Sequence, residues 1–209
     1  MKTIKKYFPN LTDNQLVQLE TLGILLKEYN QKVNVISRKD IDNVYKHHIL
    51  HSLSIIKWID FKPSTTILDL GTGGGLPGLP IAILRPECYF HLIDARRKKL
   101  DIVQEIVNQL EIKNVKITHT RAEDLNTNYQ FVISRAVTNL PDLWKLSIKL
   151  INETIQQNSY PNGLICLKGG NIAAEIKELT KGVYSEFHKI TSKIKEPYFE
   201  DKYVVYVQK

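Results

Sequence analysis

The sequence predicts an α/β fold: a mostly parallel sheet with helices on both faces, preceded by an N-terminal helical extension. Three observations point to it. From Thr65 onward, short runs rich in β-branched and aromatic residues alternate with stretches of helical period, the pattern of βαβ units. Five glycines crowd the segment from Asp69 to Gly78, between the first such run and a helix start. Before residue 60 the periodicity is helical, with no comparable strand runs.

Taken in order, the extension opens with Thr12-Asp-Asn-Gln15, a capping box, after which Leu16, Leu19, Leu22, Leu26 and Tyr29 recur at spacings of three and four. A second helix is expected over about residues 41 to 58, with Ile49, Leu53 and Ile56 on one face. Five strands follow: Thr66 to Leu70, Tyr89 to Ile93, Val115 to Thr118, Phe131 to Ile133 and Gly163 to Leu167. Leu100, Val103, Val107 and Leu110 keep helical spacing between the second and third strands. Two more helices are expected over Leu140 to Ile151 and Ile172 to Leu179. The closing Tyr203-Val-Val-Tyr-Val207 reads as an edge strand, paired with one near Phe187 to Ile194. The expected division is an extension, residues 1–62, packed on a core, residues 63–209, as a single structural unit.

The composition supports a globular chain. At 209 residues, 43% hydrophobic and 24% charged, with a mean hydropathy of −0.23, it buries roughly 70% of its unfolded surface, which excludes a disordered tail or a miniprotein. The net charge of +7 and a pI near 9.2 suit a protein that meets polyanions. Cys88 and Cys166 show neither a disulfide framework nor zinc-ligand spacing, as in a reducing cytosol. No signal-peptide pattern or membrane span is read, so the expectation is a cytoplasmic protein.

The chemistry concentrates in Asp69-Leu-Gly-Thr-Gly-Gly-Gly-Leu-Pro-Gly78. Glycine admits positive φ and close approach of a ligand to the backbone, and a helix started by Pro77 or Pro80 presents free amides. Asp94, just after the next strand, is placed to accept both ribose hydroxyls of a nucleoside. Asp69, Gly71, Gly73 and Gly75 form the spacing used for S-adenosylmethionine, with Asp69 facing the cationic part of the ligand. Gly73, Gly75 and Gly78 equally satisfy the dinucleotide fingerprint, so the glycines alone leave both open. A Walker A loop is excluded because no Gly-Lys-Ser/Thr ends the segment.

Three further clusters belong to the same strand ends. His119-Thr-Arg-Ala-Glu-Asp124 follows the third strand and puts Ala122 and Glu123 near an adenine. Ser134-Arg-Ala136 follows the fourth; it lacks the Asn/Asp-Pro-Pro-aromatic grip for an exocyclic amine and the Pro-Cys nucleophile, and offers Arg135 as a planar cation. Arg96-Arg-Lys-Lys99 sits at a helix start, where the macrodipole disfavours cations, and polyanion attraction is a reason for it. His47, His48 and His51 have helical spacing but no matching carboxylate, so no metal site is expected and their role stays open.

These motifs, in this order, resemble the bacterial 16S ribosomal RNA guanine-N7 methyltransferase G family, also called glucose-inhibited division protein B. The shared stretches include Tyr29-Asn30 and Asn34, His48-Ile-Leu50 with Ser52, Asp69 to Pro80, Arg85-Pro86, Asp94 with Lys98-Lys99, Arg121-Ala-Glu123, Ser134-Arg-Ala136 and Leu167-Lys-Gly169. Where family members often have Arg-His-Ile-Leu-Asp-Ser, this chain has His47-His-Ile-Leu-His-Ser52. The resemblance implies a Rossmann-like class I methyltransferase with a seven-stranded sheet. It implies S-adenosyl-L-methionine contacts at Gly71, Leu76, Ala122, Glu123 and Arg135, with Asp94 toward the ribose. The implied target is a guanine in the 530-loop region of 16S ribosomal RNA, presented as RNA or as a small-subunit assembly particle to a monomeric enzyme.

Guanine N7 has an in-plane lone pair and no proton, so no general base is needed. Arg121, Arg135 and Lys168 are the candidates for positioning RNA, through phosphate or O6 contacts. The rivals are a small-molecule methyltransferase, a non-catalytic RNA-binding scaffold and a nicotinamide-dependent oxidoreductase. For the last, the sole Tyr-x-x-x-Lys spacing, Tyr198 to Lys202, is expected far from the strand ends.

Overall fold

The computed structural model describes residues 1–209, the side chains of Arg38 and Lys39 excepted. Seven strands form one sheet in the order β3-β2-β1-β4-β5-β7-β6. They are β1 Thr66–Leu70, β2 Tyr89–Asp94, β3 Val115–His119, β4 Phe131–Arg135, β5 Gly163–Gly169, β6 Ser185–Lys189 and β7 Lys202–Gln208. The first five run parallel, and β7 lies antiparallel between β5 and β6.

The closing strand is therefore not at the edge, as its sequence suggested; β6 is. Val204, Val205, Tyr206 and Val207 are buried on both faces, and a continuous apolar run belongs inside a sheet. Its pairing with the Phe187 region holds, although β6 ends at Lys189 and Ile190–Ser192 turns as a 3₁₀ helix.

Two layers of helix cover the sheet. One face buries Leu19, Leu22 and Leu26 of α2 (Asp13–Asn30) with Leu79 of α4 (Gly78–Leu84), Ile106 of α5 (Arg97–Gln109) and Phe90 of β2. The other buries Leu143 and Trp144 of α6 (Leu140–Ser147) and Ile172 of α7 (Ile172–Lys177) against Leu68 and Val132. Helix α2 starts as the sequence requires: the Thr12 hydroxyl accepts from the Gln15 amide, and the Gln15 side chain accepts from the Thr12 amide. A short helix α1 (Lys2–Tyr7), unread in the sequence, seats Ile4 in the same core.

The second helix of the extension is not regular. A 3₁₀ turn (Arg38–Asn43), a π-helix (Val44–Leu50), the short α3 (His51–Leu53) and another 3₁₀ turn (Ser54–Lys57) succeed one another. The Ser52 hydroxyl donates to the His48 carbonyl at 2.7 Å and the Ser54 hydroxyl to the His51 carbonyl at 2.6 Å, drawing carbonyls away from a uniform ladder. Ile49 and Leu53 are fully buried as expected, and Ile55 rather than Ile56 completes the apolar face.

Candidate active site

Strand β1 delivers the chain to the carboxyl edge of the sheet, where Gly71, Gly73 and Gly75 all adopt positive φ. Asp69 ties this loop together from beneath. Its Oδ2 accepts from the Thr72 hydroxyl at 2.6 Å and from the Gly78 amide at 2.8 Å. A Cβ on Gly78 would lie 2.6 Å from that same oxygen, so only glycine lets the first turn of α4 sit on the carboxylate. Asp69 is fully buried, and desolvation raises its carboxyl to about 7 against the pull of Thr72, Gly78 and Arg135. It shapes the loop from below and is absent from the cleft wall.

Asp94, at the end of β2, meets the loop from the side. Its Oδ2 accepts from the Gly73 amide at 2.9 Å, with Gly73 at φ 58°, and its Oδ1 accepts from the Arg96 amide at 2.8 Å. The two amides fix the carboxylate's orientation while the residue stays partly exposed to the cleft. That cleft has a volume of about 420 Å³. Of the sequence-derived residues it brings together Gly71, Gly73, Leu76, Asp94, Ala122, Glu123, Arg121 and Arg135. Gly75 stays behind the loop with its amide on the Thr72 carbonyl.

Val35 and Thr72 also line the cleft and were not singled out by the sequence as ligand contacts; Arg96 and Lys99, read there as part of a polyanion-facing cluster, line it too. Buried Asn30 explains Val35: its Oδ1 accepts from the Val35 and Ile36 amides at 2.8 and 3.0 Å, holding the segment over the glycine loop. A Cβ on Gly74 would come within 2.9 Å of Val35 Cβ. The Tyr29-Asn30 pair was the signal, and only its partners in space give it meaning.

A second cleft, of about 430 Å³, adjoins the first and shares Val35, Arg135 and Ala136 with it. Lys168, Tyr198 and Lys202 line it together with all three histidines of the extension. The Tyr198 and Lys202 pair is thus beside the strand ends, contrary to expectation, because β7 turns back next to β5. Lys168 is engaged within the protein: its ammonium donates to the Thr138 carbonyl at 2.8 Å and pairs with Glu175 at 2.8 Å. It braces the crest between the clefts, where Ala136 adopts φ 57°. Burial lowers the Arg135 guanidinium from its ordinary value, with Asp69 and Asp40 opposing.

Among the described residues, no group of three or more His, Cys, Asp or Glu side chains is placed to hold a metal ion. His47 instead pairs with Asp40 at 2.6 Å and stacks on Tyr198 at 3.6 Å.

A family model described as GidB, rRNA small subunit methyltransferase G, matches residues 15–197. The chain belongs to the GidB family. It is 49% identical over 208 residues, the full length of both chains, to the ribosomal RNA small subunit methyltransferase G of Bacteroides thetaiotaomicron. To that of Porphyromonas gingivalis it is 47% identical, covering 98% of this chain and 91% of the relative. The GidB chain also matches solved structures in fold: a SAM-dependent methyltransferase from Aquifex aeolicus at TM-score 0.58 and 14% identity, covering 82% of this chain and 98% of that one. A fibrillarin/Nop5p complex matches at TM-score 0.57 and 11% identity, over 75% and 79%. This GidB family member is an enzyme of the methyltransferase class with the Rossmann-like fold its motifs implied.

Proposed function

We propose that this enzyme methylates N7 of a guanine in the 530-loop region of 16S ribosomal RNA, using S-adenosyl-L-methionine, as a monomer in the cytoplasm. The observation that carries the reading is the pair of contiguous clefts at the sheet's carboxyl edge, one walled by a glycine loop and a carboxylate, the other rimmed by cations. Among the described residues, no helix is long and apolar enough to cross a membrane.

The first cleft fits the nucleoside half of the methyl donor. The Gly71 to Gly73 backbone lines the cleft, and Asp94 keeps carboxylate lone pairs beyond the two amides it accepts. Ala122 and Glu123 stand one strand over, where an adenine would lie. Bound there, S-adenosylmethionine supplies an electrophilic methyl group on a sulfonium. The chain's own contribution is positioning, for which well-oriented reactions gain on the order of 7–11 kcal/mol. Arg135 stands at the junction of the clefts, and Arg121 is exposed at the rim, both able to grip a phosphate or O6. No proton has to leave N7, so transfer needs no general base.

The small-molecule alternative would need a closed site; here Arg96, Arg97 and Lys98 are exposed beside the cleft, as a polyanion requires. The test is transfer of labelled methyl from S-adenosylmethionine to undermethylated small-subunit RNA, with Arg121→Ala and Arg135→Ala alongside. Label in 7-methylguanine, reduced in both variants, is expected. Transfer to small molecules alone would refute the reading.

A further inference from the structure

The face of the sheet under α6 and α7 is only partly covered. Its apolar cluster takes residues from β1, β4, β5 and β7, but only Ile93 from β2 and none from β3. Toward the amino ends of these two strands the same face carries Tyr89, His91, Lys116 and Thr118, since side chains alternate along a strand and His91 lies opposite Lys116. There the surface sinks into a cleft of about 340 Å³, with Tyr89, His91, Lys113, Lys116, Thr127 and Tyr129 in its lining.

The floor of this cleft is already hydrogen-bonded. His91 Nδ1 meets the Tyr129 hydroxyl at 2.5 Å and its Nε2 meets the Thr118 hydroxyl at 2.7 Å. Burial, reinforced by Lys116, lowers His91 to about 4, so the ring is uncharged. The cations are Lys113 and Lys116, both exposed. Among the described residues no carboxylate lines the cleft, and none pairs with either ammonium. A lysine on an edge strand guards it against pairing, which accounts for Lys116 alone. It does not account for Tyr89, an aromatic side chain 60% exposed beside a second unpaired lysine. Past Tyr89 the surface continues into a groove of about 560 Å³ that shares Tyr89, Lys113 and Asn114 with the cleft.

We propose that this amino-edge groove is a second RNA-binding site, in which an unpaired base of the substrate RNA stacks on Tyr89 while Lys113 and Lys116 take the flanking phosphates. The inference rests on the RNA-methylation reading above and adds a place where the RNA is held away from the chemistry. Aromatic rings on an open sheet face beside cations hold single-stranded RNA by stacking and charge, without reading base edges, and a floor whose imidazole nitrogens are both engaged suits that mode. Continuation on both sides of Tyr89 fits a strand passing over it better than a free mononucleotide. Tyr89 opens β2 and Asp94 closes it, which puts roughly 16 Å between this platform and the methyl-donor cleft. The groove therefore acts on RNA affinity and not on the transfer step.

The test measures binding of small-subunit RNA to the full chain by filter retention, beside methylation kinetics on the same RNA. Y89A is expected to weaken RNA affinity, and to raise KM, by about ten-fold, the worth of one stacked base. Its kcat and S-adenosylmethionine affinity should stay at the wild-type values, and Y89F, which keeps the ring, should bind RNA within about two-fold of wild type. The double variant K113A/K116A should flatten the slope of log affinity against log salt by about 1.4, as for two phosphates of a single strand. RNA affinity unchanged in Y89A overturns the inference, as does a loss confined to adenosine monophosphate binding, which would assign the groove to a free nucleotide. A wild type that methylates no ribosomal RNA refutes the broader reading instead. If Y89A fails to fold, wild-type protein irradiated with RNA carrying 5-iodouridine decides the matter: adducts at Tyr89 support the site, and adducts only elsewhere overturn it.

Discussion

Replacing Asp94 by alanine separates its two tasks. Within the protein it accepts from the Gly73 and Arg96 amides, at 2.9 and 2.8 Å, and both sit at a partly exposed position where water can take over. The cost to folding is therefore only about 1 kcal/mol. Toward the methyl donor it would accept from two ribose hydroxyls, each a hydrogen bond to a charged group contributing roughly 1.5 kcal/mol or more. Their loss, about 3 kcal/mol, corresponds to an affinity weaker by roughly 150-fold. Asp94→Asn keeps one acceptor oxygen and is expected to fall between the two. Titration calorimetry with S-adenosylmethionine, beside a thermal melt of each variant, measures both quantities. An affinity within three-fold of wild type in a folded Asp94→Ala protein would refute the placement of the ribose.

Other consequences follow from the same structure. Between pH 6.5 and 4 the unfolded chain takes up protons at His48, His51 and His91 that the folded chain refuses, while folded Asp69, raised to about 7, keeps one that the unfolded chain has lost. Three protons against one favour the unfolded state on acidification, so stability is expected to fall with decreasing pH by about 3 kcal/mol per unit near pH 5; denaturant titrations showing constant or rising stability would contradict this. Lys168→Ala leaves Glu175, which also accepts from the Leu140 amide, without its cation. About 2 kcal/mol of stability should be lost, measurable by chemical denaturation, because the pair is mostly but not wholly buried. Removing residues 1–62 uncovers the face that Leu22, Leu26 and Leu53 bury with Leu79 and Phe90, so residues 63–209 alone should be insoluble or molten by circular dichroism; a cooperative melt would show that the core stands by itself.

The sheet was legible because each buried strand is a run such as Thr66-Ile-Leu-Asp-Leu70, which carries its own signal. The position of β7 was not, since an apolar run has no mark telling whether one neighbour or two will cover it. Most of the first cleft was legible too: glycines that need positive φ and a carboxylate one strand away are local features. Asp69 was read as facing a ligand, and only the fold shows that its Oδ2 is held by Thr72 and Gly78 beneath the loop while its Oδ1 has no partner. The second cleft lay out of reach. His48, Arg135, Lys168 and Lys202 are spread over most of the chain, and the extension, the crest after β4 and the reversal of β7 bring them together.

The claim that the paired clefts exist to methylate one guanine is tested most directly in cells lacking this protein, by mass mapping of modified guanines along their 16S ribosomal RNA. Loss of a single 7-methylguanine in the 530-loop region is expected, restored by the wild-type chain and not by Asp94→Ala. An unaltered set of modified guanines would contradict it.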